Sequence, residues 1–346
     1  MITIHPNFKL NDVSYDTETL LLWAKSKIEE GGDYEKNAAI FILEWLDVYS
    51  NVNVQTSGTT GNAKKMMLKK SAMVYSAQST GAFFKLNAGS KVLCCLPVKY
   101  IAGKMMLVRA MVLGWDLTLV EPSSSPLKDS YIEYDFVAMV PLQVEKSLDE
   151  LLRVKIVLIG GAKVNPVLTQ KLIQNSINAY ESYSMTETVT HIALKKIGTK
   201  NFKLLPGVVI EQDNRGCLVI NAPNINEEIL VTNDLIELVS DSEFIWKGRV
   251  DNVVNSGGIK LFPEQIEAKL IPKIKEHFFF YGLPDQKFGE KLVLVIEGEA
   301  YELDSSIFEE LSLYEVPKQI IFIAKFEETE TGKIKRKETM LKNKLI

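Results

Sequence analysis

The sequence is poor in cysteine and histidine and has no long apolar segment. Its three cysteines, Cys94, Cys95 and Cys217, have neither a disulfide framework nor the spacing of zinc ligands. Cys94 and Cys95 lie in an apolar run over residues 92–96, which predicts buried free thiols and a reducing, cytoplasmic environment. No apolar run approaches the roughly 18 residues of a membrane span. Met1–Pro6 lack the basic and apolar regions of a signal peptide, so we expect none.

An excess of positive charge is also lacking. The 346 residues include 40 lysines and arginines against 44 aspartates and glutamates, which gives a net charge of −4. This balance favours neither nucleic acid nor an anionic membrane as a partner, so a polyanionic ligand must meet local positive charge. The length and a hydrophobic share of 46% predict a large core and more than one domain.

One segment is rich in the donors that bind phosphate. It consists of Thr56, Ser57, Gly58, Thr59, Thr60, Gly61, Asn62, Ala63 and Lys64. Glycine lets the backbone approach a ligand closely, and the N–H groups, hydroxyls and lysine can surround an anion. A Walker phosphate loop is excluded because Ala63 and Lys65 stand where it requires glycine and Ser or Thr. The segment predicts a polyphosphate-binding loop, and a polar hairpin turn without a ligand is the alternative.

Between residues 65 and 195, apolar runs typical of strands alternate with segments of helical spacing. We predict strands over residues 91–97, 116–120, 136–140 and 155–159. We predict helices over 72–84 with Ser71 as the N-cap, 104–113 closed by Gly114, 145–152, and 166–175. This alternation predicts an α/β fold with a parallel sheet covered on both faces.

The pattern changes to β structure after residue 208. We predict a hairpin of strands 208–212 and 217–221 around the turn Asp213–Gly216, followed by strands over 229–239 and 243–250. After Asp251 come a strand, a helix over 263–270, more strands and a last helix in a basic tail. We therefore predict a large domain of residues 1–249 and a small α+β domain of residues 250–346.

Four further motifs follow the loop of residues 56–64. They are Tyr183–Thr188 (Tyr-Ser-Met-Thr-Glu-Thr), Thr232–Asp234, Gly248–Asp251 with Gly257, Gly258 and Pro263–Glu264, and Thr331–Arg336. In this order the five motifs resemble the adenylate-forming superfamily, which includes acyl- and aryl-CoA ligases, luciferases and adenylation domains of peptide synthetases. The resemblance covers most of the chain. It implies an enzyme that joins a carboxylic acid to ATP, with Mg²⁺, and then transfers the acyl group to a thiol such as that of CoA.

The resemblance implies catalytic roles for three residues. Lys333 is similar to the lysine that bridges the substrate carboxylate and the α-phosphate, a task that suits a cation at pH 7. Glu187 resembles the glutamate that binds Mg²⁺, and Thr186 beside it would donate to phosphate. Taken alone, Lys333 would be part of a solvated basic tail, and Thr186 and Glu187 would be part of a helix-capping turn.

The resemblance also implies a nucleotide and CoA site. Tyr183 and Ser184, with Gly160, Gly161 and Ala162, would line the adenine and acyl pocket, and the Tyr183 ring would stack on adenine. Asp234 would accept hydrogen bonds from the ribose hydroxyls, assisted by Arg249. Asp251 matches a hinge about which the small domain rotates, and Gly257 and Gly258 would let the thiol arm of CoA pass.

Several residues depart from the family pattern. Ala63 stands where proline is usual, Ser184 and Asn233 where glycine is usual, and Tyr100 where many relatives have histidine. Asn233 tolerates the left-handed backbone region better than most residues. Because the phosphate loop begins at residue 56, we expect the first subdomain, and its sheet, to be reduced.

The substrate is expected to be a dicarboxylic acid. The compact length and the segment Tyr183–Leu194 resemble the short o-succinylbenzoate–CoA ligases of menaquinone biosynthesis. Such an acid has one carboxylate to activate and one to recognise, and Lys104, Arg109 and His191 are candidates for recognition because a buried carboxylate needs a partner. The alternatives are an adenylating enzyme that loads a carrier protein and a non-catalytic nucleotide-binding module.

Overall fold

A computed structural model describes residues 3–55, 65–128, 130–329 and 334–346. The helices within these ranges are α1 (Thr17–Glu30), α2 (Asp33–Leu46), α3 (Lys70–Phe84), α4 (Ile101–Leu113), α5 (Pro141–Lys146), α6 (Pro166–Gln174), α7 (Pro263–Leu270) and α8 (Arg336–Lys342). Short 3₁₀ helices occur at Glu150–Arg153, Thr186–Thr188, Val250–Asn252 and Ser305–Phe308.

The strands within the described ranges form three sheets. Strands β1 to β10 are Lys9–Leu10, Val13–Ser14, Asn51–Gln55, Lys65–Lys69, Lys91–Cys94, Asp116–Leu119, Phe136–Met139, Val157–Ile159, Ala179–Ser184 and His191–Lys196. Strands β11 to β20 are Phe202–Leu204, Val209–Gln212, Cys217–Ala222, Asn226–Ser240, Glu243–Arg249, Val254–Ser256, Ile259–Leu261, Phe278–Asp285, Gly289–Glu297 and Gln319–Ile323.

The largest sheet is half parallel and half antiparallel. Its order is β12-β13-β14-β15-β11-β10-β9-β8-β7-β5-β6-β1-β2. The strands from β9 to β1 run parallel to one another, and β2 pairs antiparallel with β1 at the edge. On the other side, β10 pairs antiparallel with β9 and the sheet stays antiparallel out to β12. The expected α/β architecture is confirmed, and the change of strand direction at β9 is the feature that positions the candidate site.

Alternate residues of the parallel strands enter two different cores. In and just after β5, Val92 and Cys94 pack in the core that contains α1 to α4, while Leu93 and Cys95 pack with α5 and α6 on the other face. This is the pattern of a sheet covered on both faces. All three cysteines are buried free thiols, which confirms the prediction made for Cys94 and Cys95, and burial raises the pKa of Cys94 to about 12.

The second sheet lies in the C-terminal part of the chain. Its order is β17-β16-β19-β18, with β20 parallel to β19. One face packs on α7 through residues such as Phe280 and Leu294, and the other packs on α8 through residues such as Phe279 and Val293. The boundary between residues 249 and 250 and the mobility of the C-terminal part stay predictions.

Most predicted elements are confirmed to within three residues at each end, but one N-cap and one helix were predicted wrongly. Ser71 is not an N-cap, because β4 passes directly into α3, which begins at Lys70. The Lys70 ammonium is buried against Asp47, at 2.7 Å from its Oδ1 atom, and this ion pair fixes the junction. The helix predicted over 145–152 is instead the end of α5 and a separate 3₁₀ turn, because the chain leaves the helical conformation at Ser147.

Over the described residues, no helix combines the length and apolar character that crossing a bilayer requires.

Candidate active site

Two strand ends meet where the main sheet changes direction. Strand β8 ends at Ile159, which pairs with Glu181 of β9, so Gly160, Gly161 and Ala162 emerge beside the end of β9 at Ser184. A methyl group at Gly160 would come within 2.9 Å of the Ser182 hydroxyl, so glycine permits this close approach. Open α/β sheets usually bind ligands at the carboxyl ends of such strands.

The segment after β9 brings Glu187 to an open cleft. Thr186–Thr188 form a single 3₁₀ turn, and the Asn226 amide donates to the Glu187 backbone oxygen at 3.1 Å. The Glu187 side chain is exposed and borders a cleft of about 1100 Å³ whose other walls are residues 47–50, 66–72 and 223–228. A carboxylate on the wall of a solvent-filled cleft can bind a hard cation together with ligand oxygens.

The same cleft is lined by β4, which follows the predicted phosphate loop, and by residues 47–50, which precede β3. Strands β3 and β4 pair antiparallel, with Gln55 opposite Lys65, so residues 56–64 connect the two strands of a hairpin. The predicted phosphate-binding residues Thr56, Ser57, Gly58, Thr59, Thr60, Gly61 and Lys64 lie outside the described residues. Lys333 lies outside them as well.

Tyr183, Asp234 and Arg249 are brought together by strand pairing. The Tyr183 hydroxyl donates to Asp234 Oδ2 at 2.6 Å, and Arg249 lies opposite Asp234 in the register of β14 and β15. Burial, and then the neighbouring Asp234 carboxylate, raise the pKa of Tyr183 above its usual value. The Tyr183 ring also meets Phe202 and Phe244 edge to face. The three predicted nucleotide residues therefore share one polar cluster.

Two members of this cluster were not predicted. The Trp246 indole donates to Asp234 Oδ1 at 3.2 Å, so this carboxylate has a donor on each oxygen. Arg215 donates to Asn233 Oδ1 and to the Thr232 backbone oxygen, both at 3.0 Å. Trp246 lies three residues before Arg249, but the sequence does not reveal the register that aims its side chain at Asp234.

Asp251, the predicted hinge residue, is tied to the same cluster. Arg249 Nη2 lies 2.9 Å from Asp251 Oδ2, and the Asn233 amide donates to the same carboxylate at 3.2 Å. Asp251 is half-exposed, and these contacts link the end of β15 to the 3₁₀ turn that follows it. These contacts hold the chain on both sides of the predicted hinge residue together.

A second polar cluster is buried around Thr190 and His191, which follow the 3₁₀ turn Thr186–Thr188 in the chain. Arg109 is 2% exposed, and its Nε and Nη2 atoms lie 3.3 Å from Thr80 Oγ1 and 3.5 Å from Thr190 Oγ1. His191 Nε2 lies 3.2 Å from the same Thr80 hydroxyl, and Ser76 Oγ lies 3.0 Å from Thr190 Oγ1. Within the described ranges, no carboxylate forms an ion pair with Arg109.

Lys104 has a carboxylate partner, whereas Arg109 has none within the described ranges. Lys104 Nζ donates to the Asn53 backbone oxygen at 2.8 Å, lies 3.4 Å from Glu44 Oε2 and sits over the Phe41 ring, so its charge is compensated. Burial lowers the pKa of Arg109 to about 10, which leaves the guanidinium charged at pH 7. A buried cation without a counter-ion is costly and fits an incoming anion.

Gly257 and Gly258 join β16 to β17. Both have positive φ, 61° and 83°, and Ser256 pairs with Ile259 across them, as expected of a two-residue hairpin whose turn matches the twist of the strands. The expected passage of CoA along this turn stays a prediction.

Comparison with known proteins identifies the family. Residues 52–219 match the family described as AMP-binding enzyme. The chain is also 38% identical to an acyl-CoA synthetase (AMP-forming)/AMP-acid ligase II-like protein from Dyadobacter fermentans, with 92% of this chain and 97% of that chain aligned and a TM-score of 0.63. The chain belongs to the AMP-binding, adenylate-forming superfamily. It is therefore an enzyme of the AMP-forming acyl-CoA synthetase group, and ATP binding follows from that membership.

More distant relatives share a narrower description. A 2-succinylbenzoate–CoA ligase of Listeria monocytogenes is 26% identical, over 85% of this chain and 71% of its own length. One of Bacillus cytotoxicus is 25% identical, over 95% and 77%. The o-succinylbenzoate–CoA synthetase of Bacillus subtilis, solved with its acyl-adenylate intermediate, has a TM-score of 0.72 at 20% identity over 83% of this chain and 68% of that one, which shows a shared fold.

A magnesium ion suits this enzyme's cleft. In the described ranges, no group of three or more His, Cys, Asp and Glu side chains could hold a metal. Mg²⁺ in phosphate-transferring enzymes needs only one or two carboxylates, because phosphate oxygens and water complete its shell. Glu187 on the cleft wall matches that requirement.

The enzyme's stability is expected to rise with pH from about 5 to 6.5 because of His191. Burial, and then Arg109, lower the pKa of His191 well below 6.5, so the folded enzyme keeps the ring neutral while the unfolded chain binds a proton. As the pH falls through this window, the free energy of unfolding should decrease by up to about 1.4 kcal/mol per pH unit. Urea unfolding of the wild type and His191→Gln between pH 5 and 7 measures this. Equal pH slopes for the two proteins would contradict it.

Proposed function

We propose that this enzyme is an ATP-dependent ligase that converts o-succinylbenzoate, a dicarboxylic acid, to its CoA thioester. The observation that supports a diacid most strongly is the buried Arg109, which has no carboxylate partner in the part of the chain that the structure describes. A guanidinium matches a carboxylate in a two-pronged geometry, so the second carboxylate of the substrate would compensate this charge. Relatives named for the same acid support the proposal.

In the first half-reaction, a carboxylate oxygen of the acid attacks the α-phosphorus of ATP, and pyrophosphate leaves. We propose that Thr56, Ser57, Gly58, Thr59, Thr60, Gly61 and Lys64 bind the leaving phosphates. Lys333 would contact both the attacking carboxylate and the α-phosphate, where negative charges approach each other. Thr186 would donate to a phosphate oxygen. Glu187 would hold Mg²⁺, which supplies positive charge to the phosphate oxygens.

The nucleoside would occupy the cluster at the end of β9. Tyr183 and Ser184, with Gly160, Gly161 and Ala162, would border the adenine and the acyl group. Asp234 would accept hydrogen bonds from the ribose hydroxyls with Arg249 beside it. The Asp234 oxygens accept hydrogen bonds from the Tyr183 hydroxyl and the Trp246 indole. These bonds would orient the carboxylate and leave lone pairs free for the ribose.

In the second half-reaction, the CoA sulfur attacks the acyl carbonyl carbon, AMP leaves with the bonding electrons of the acyl–oxygen bond, and the thiol proton is released. We propose that residues 250–346 rotate as a domain about Asp251, and that Gly257 and Gly258 then border the path of the thiol. Such a rotation would break the hydrogen bonds that Asp251 accepts from Arg249 and Asn233.

An acid panel tests this function. The enzyme is incubated with MgATP and CoA together with o-succinylbenzoate, and in parallel with the two monoacids that lack either its ring carboxylate or its succinyl carboxylate. We expect CoA-dependent AMP formation with the diacid at a rate at least about 10²-fold above both monoacids, because a monoacid that lacks the recognised carboxylate leaves the buried partner unpaired and one that lacks the activated carboxylate cannot react. Pyrophosphate exchange without CoA-dependent AMP release would favour a carrier protein as acceptor. Absence of acid-dependent exchange would favour a non-catalytic module.

A further inference from the structure

Val189 has a backbone conformation that its side chain disfavours. Its φ and ψ are 65° and −63°, and the Thr190 N–H donates to the Thr188 oxygen at 2.7 Å across it, which makes a three-residue γ-turn. Among the described residues other than glycine that have positive φ, Val189 is the β-branched one. A β-branched residue with positive φ is a genuine outlier, and such strain persists only where the surroundings fix it.

The surroundings do fix the turn. The Val189 side chain is 1% exposed and packs in the main core. The Val189 N–H donates to the Thr186 oxygen at 3.0 Å, and the Thr188 hydroxyl lies 2.7 Å from the Thr190 oxygen and 3.0 Å from the Met185 oxygen. Hydrophobic burial and hydrogen bonds on both sides of the residue therefore offset the strain.

The turn separates the two halves of the candidate site. Immediately before it, Glu187 lines the cleft assigned to phosphate and Mg²⁺, and Thr186 precedes it in the same 3₁₀ turn. Immediately after it, Thr190 presents its hydroxyl to Ser76 and to the buried Arg109. Because a γ-turn reverses the chain within three residues, its geometry sets the distance and angle between these two arms.

We propose that Val189 is a positioning residue, whose strained turn fixes the metal-binding arm (Thr186–Glu187) relative to the acid-binding arm (Thr190 with Arg109). This inference rests on the proposed function. Hydrogen bonds on both sides of the residue hold the turn, and a residue with a Cβ atom has few other backbone conformations open to it between them, whereas glycine at the same position has more. The strained turn would thus keep the nucleotide and the acid in a fixed relative alignment.

The comparison of Val189→Gly with Val189→Ala tests the proposal. Both variants lose the valine side chain from the core, but alanine keeps the strain and glycine removes it. At an ordinary position, glycine is the less stable of the two. Here we expect Val189→Gly to have a melting temperature equal to or above that of Val189→Ala. We expect Val189→Ala to keep both KM values within about 3-fold of wild type, and Val189→Gly to raise the KM for MgATP and the KM for the acid together by about 10-fold or more.

Several outcomes would overturn the proposal. These are a lower melting temperature for Val189→Gly than for Val189→Ala, including failure of the glycine variant alone to fold; equal KM values in the two variants; and a rise in only one of the two KM values of Val189→Gly. If the wild type activates no diacid, the proposed function fails by itself. The order of melting temperatures, and the affinity for MgATP measured by calorimetry in the absence of acid, then still test the turn.

Discussion

Replacing Lys333 by alanine is expected to slow formation of the acyl-adenylate by about 10²-fold or more, the scale for loss of one charge-stabilising group. The effect should fall on the first half-reaction, because only there do a carboxylate and a phosphate approach each other. Thioester formation from the synthetic acyl-adenylate and CoA should be largely unchanged. Rapid-quench measurement of each half-reaction separates the two rates.

Lys335→Ala is a matched control for this variant. It removes a charge from the same basic segment, and its backbone N–H, which bonds the Glu327 oxygen at 2.7 Å, is unaffected by the substitution. We expect both of its half-reactions to stay close to wild type. If Lys333→Ala slows both half-reactions equally, the proposed division of work between two domain arrangements is wrong for this enzyme.

Replacing Arg109 by methionine is expected to lower kcat/KM for o-succinylbenzoate by about 10²- to 10³-fold, because the second carboxylate would be buried without its partner. The monoacid that lacks the recognised carboxylate should be used as well as by the wild type or better. Stability should be unchanged or higher, because an uncompensated buried charge is replaced by an apolar side chain of similar length. Steady-state kinetics with both acids and a thermal melt measure these effects.

Lys104→Met is the matched control, since it removes a second buried cation from the same helix, α4. The Lys104 ammonium already contacts the Glu44 carboxylate and the Asn53 backbone oxygen. Loss of the ammonium should therefore reduce stability without changing the preference for the diacid. An unchanged ratio of diacid to monoacid activity in Arg109→Met would show that Arg109 is a structural residue and that recognition lies elsewhere.

Local signals in the sequence predicted much of the fold. The helix at Pro263–Leu270 was predicted with the bounds it has, because proline favours the first helical position and the apolar spacing is helical. Gly114 was predicted to end α4, and its φ of 72° is one that glycine adopts at little cost. The turn at Asp213–Gly216 was predicted as a hairpin, and β12 and β13 do pair across it.

Other features depend on contacts that a single sequence does not reveal. Ser71 has the side chain of an N-cap, but the burial of Lys70 against Asp47 starts the helix earlier. The sequence named Arg109, Lys104 and His191 as candidates for substrate recognition and did not single out Arg109. Only the tertiary structure distinguishes Lys104 from Arg109. It places Glu44 beside Lys104 and, within the described ranges, the Thr80 hydroxyl but no carboxylate beside Arg109. Sequence propensities would also never assign positive φ to a buried valine such as Val189.

The predicted nucleotide residues illustrate both cases. The resemblance of the motifs to those of the adenylate-forming superfamily was sufficient to name Tyr183, Asp234 and Arg249, and the register of β14 with β15 brings them together. Trp246 joins them because its side chain points to the same face, which follows from the bulge between Leu235 and Ile236 and not from any motif. The roles of these residues, and the boundary at residue 249, stay predictions.

The most direct test of the account is a crystal structure of the enzyme with MgATP and a non-reacting acid. We predict that the phosphates contact residues 56–64, that the ribose hydroxyls lie within hydrogen-bond distance of Asp234, and that Glu187 binds the metal. We also predict that Lys333 Nζ reaches the α-phosphate in this complex or in one with the acyl-adenylate. A nucleotide bound elsewhere, with Lys333 out of reach in every complex, would contradict the central claim.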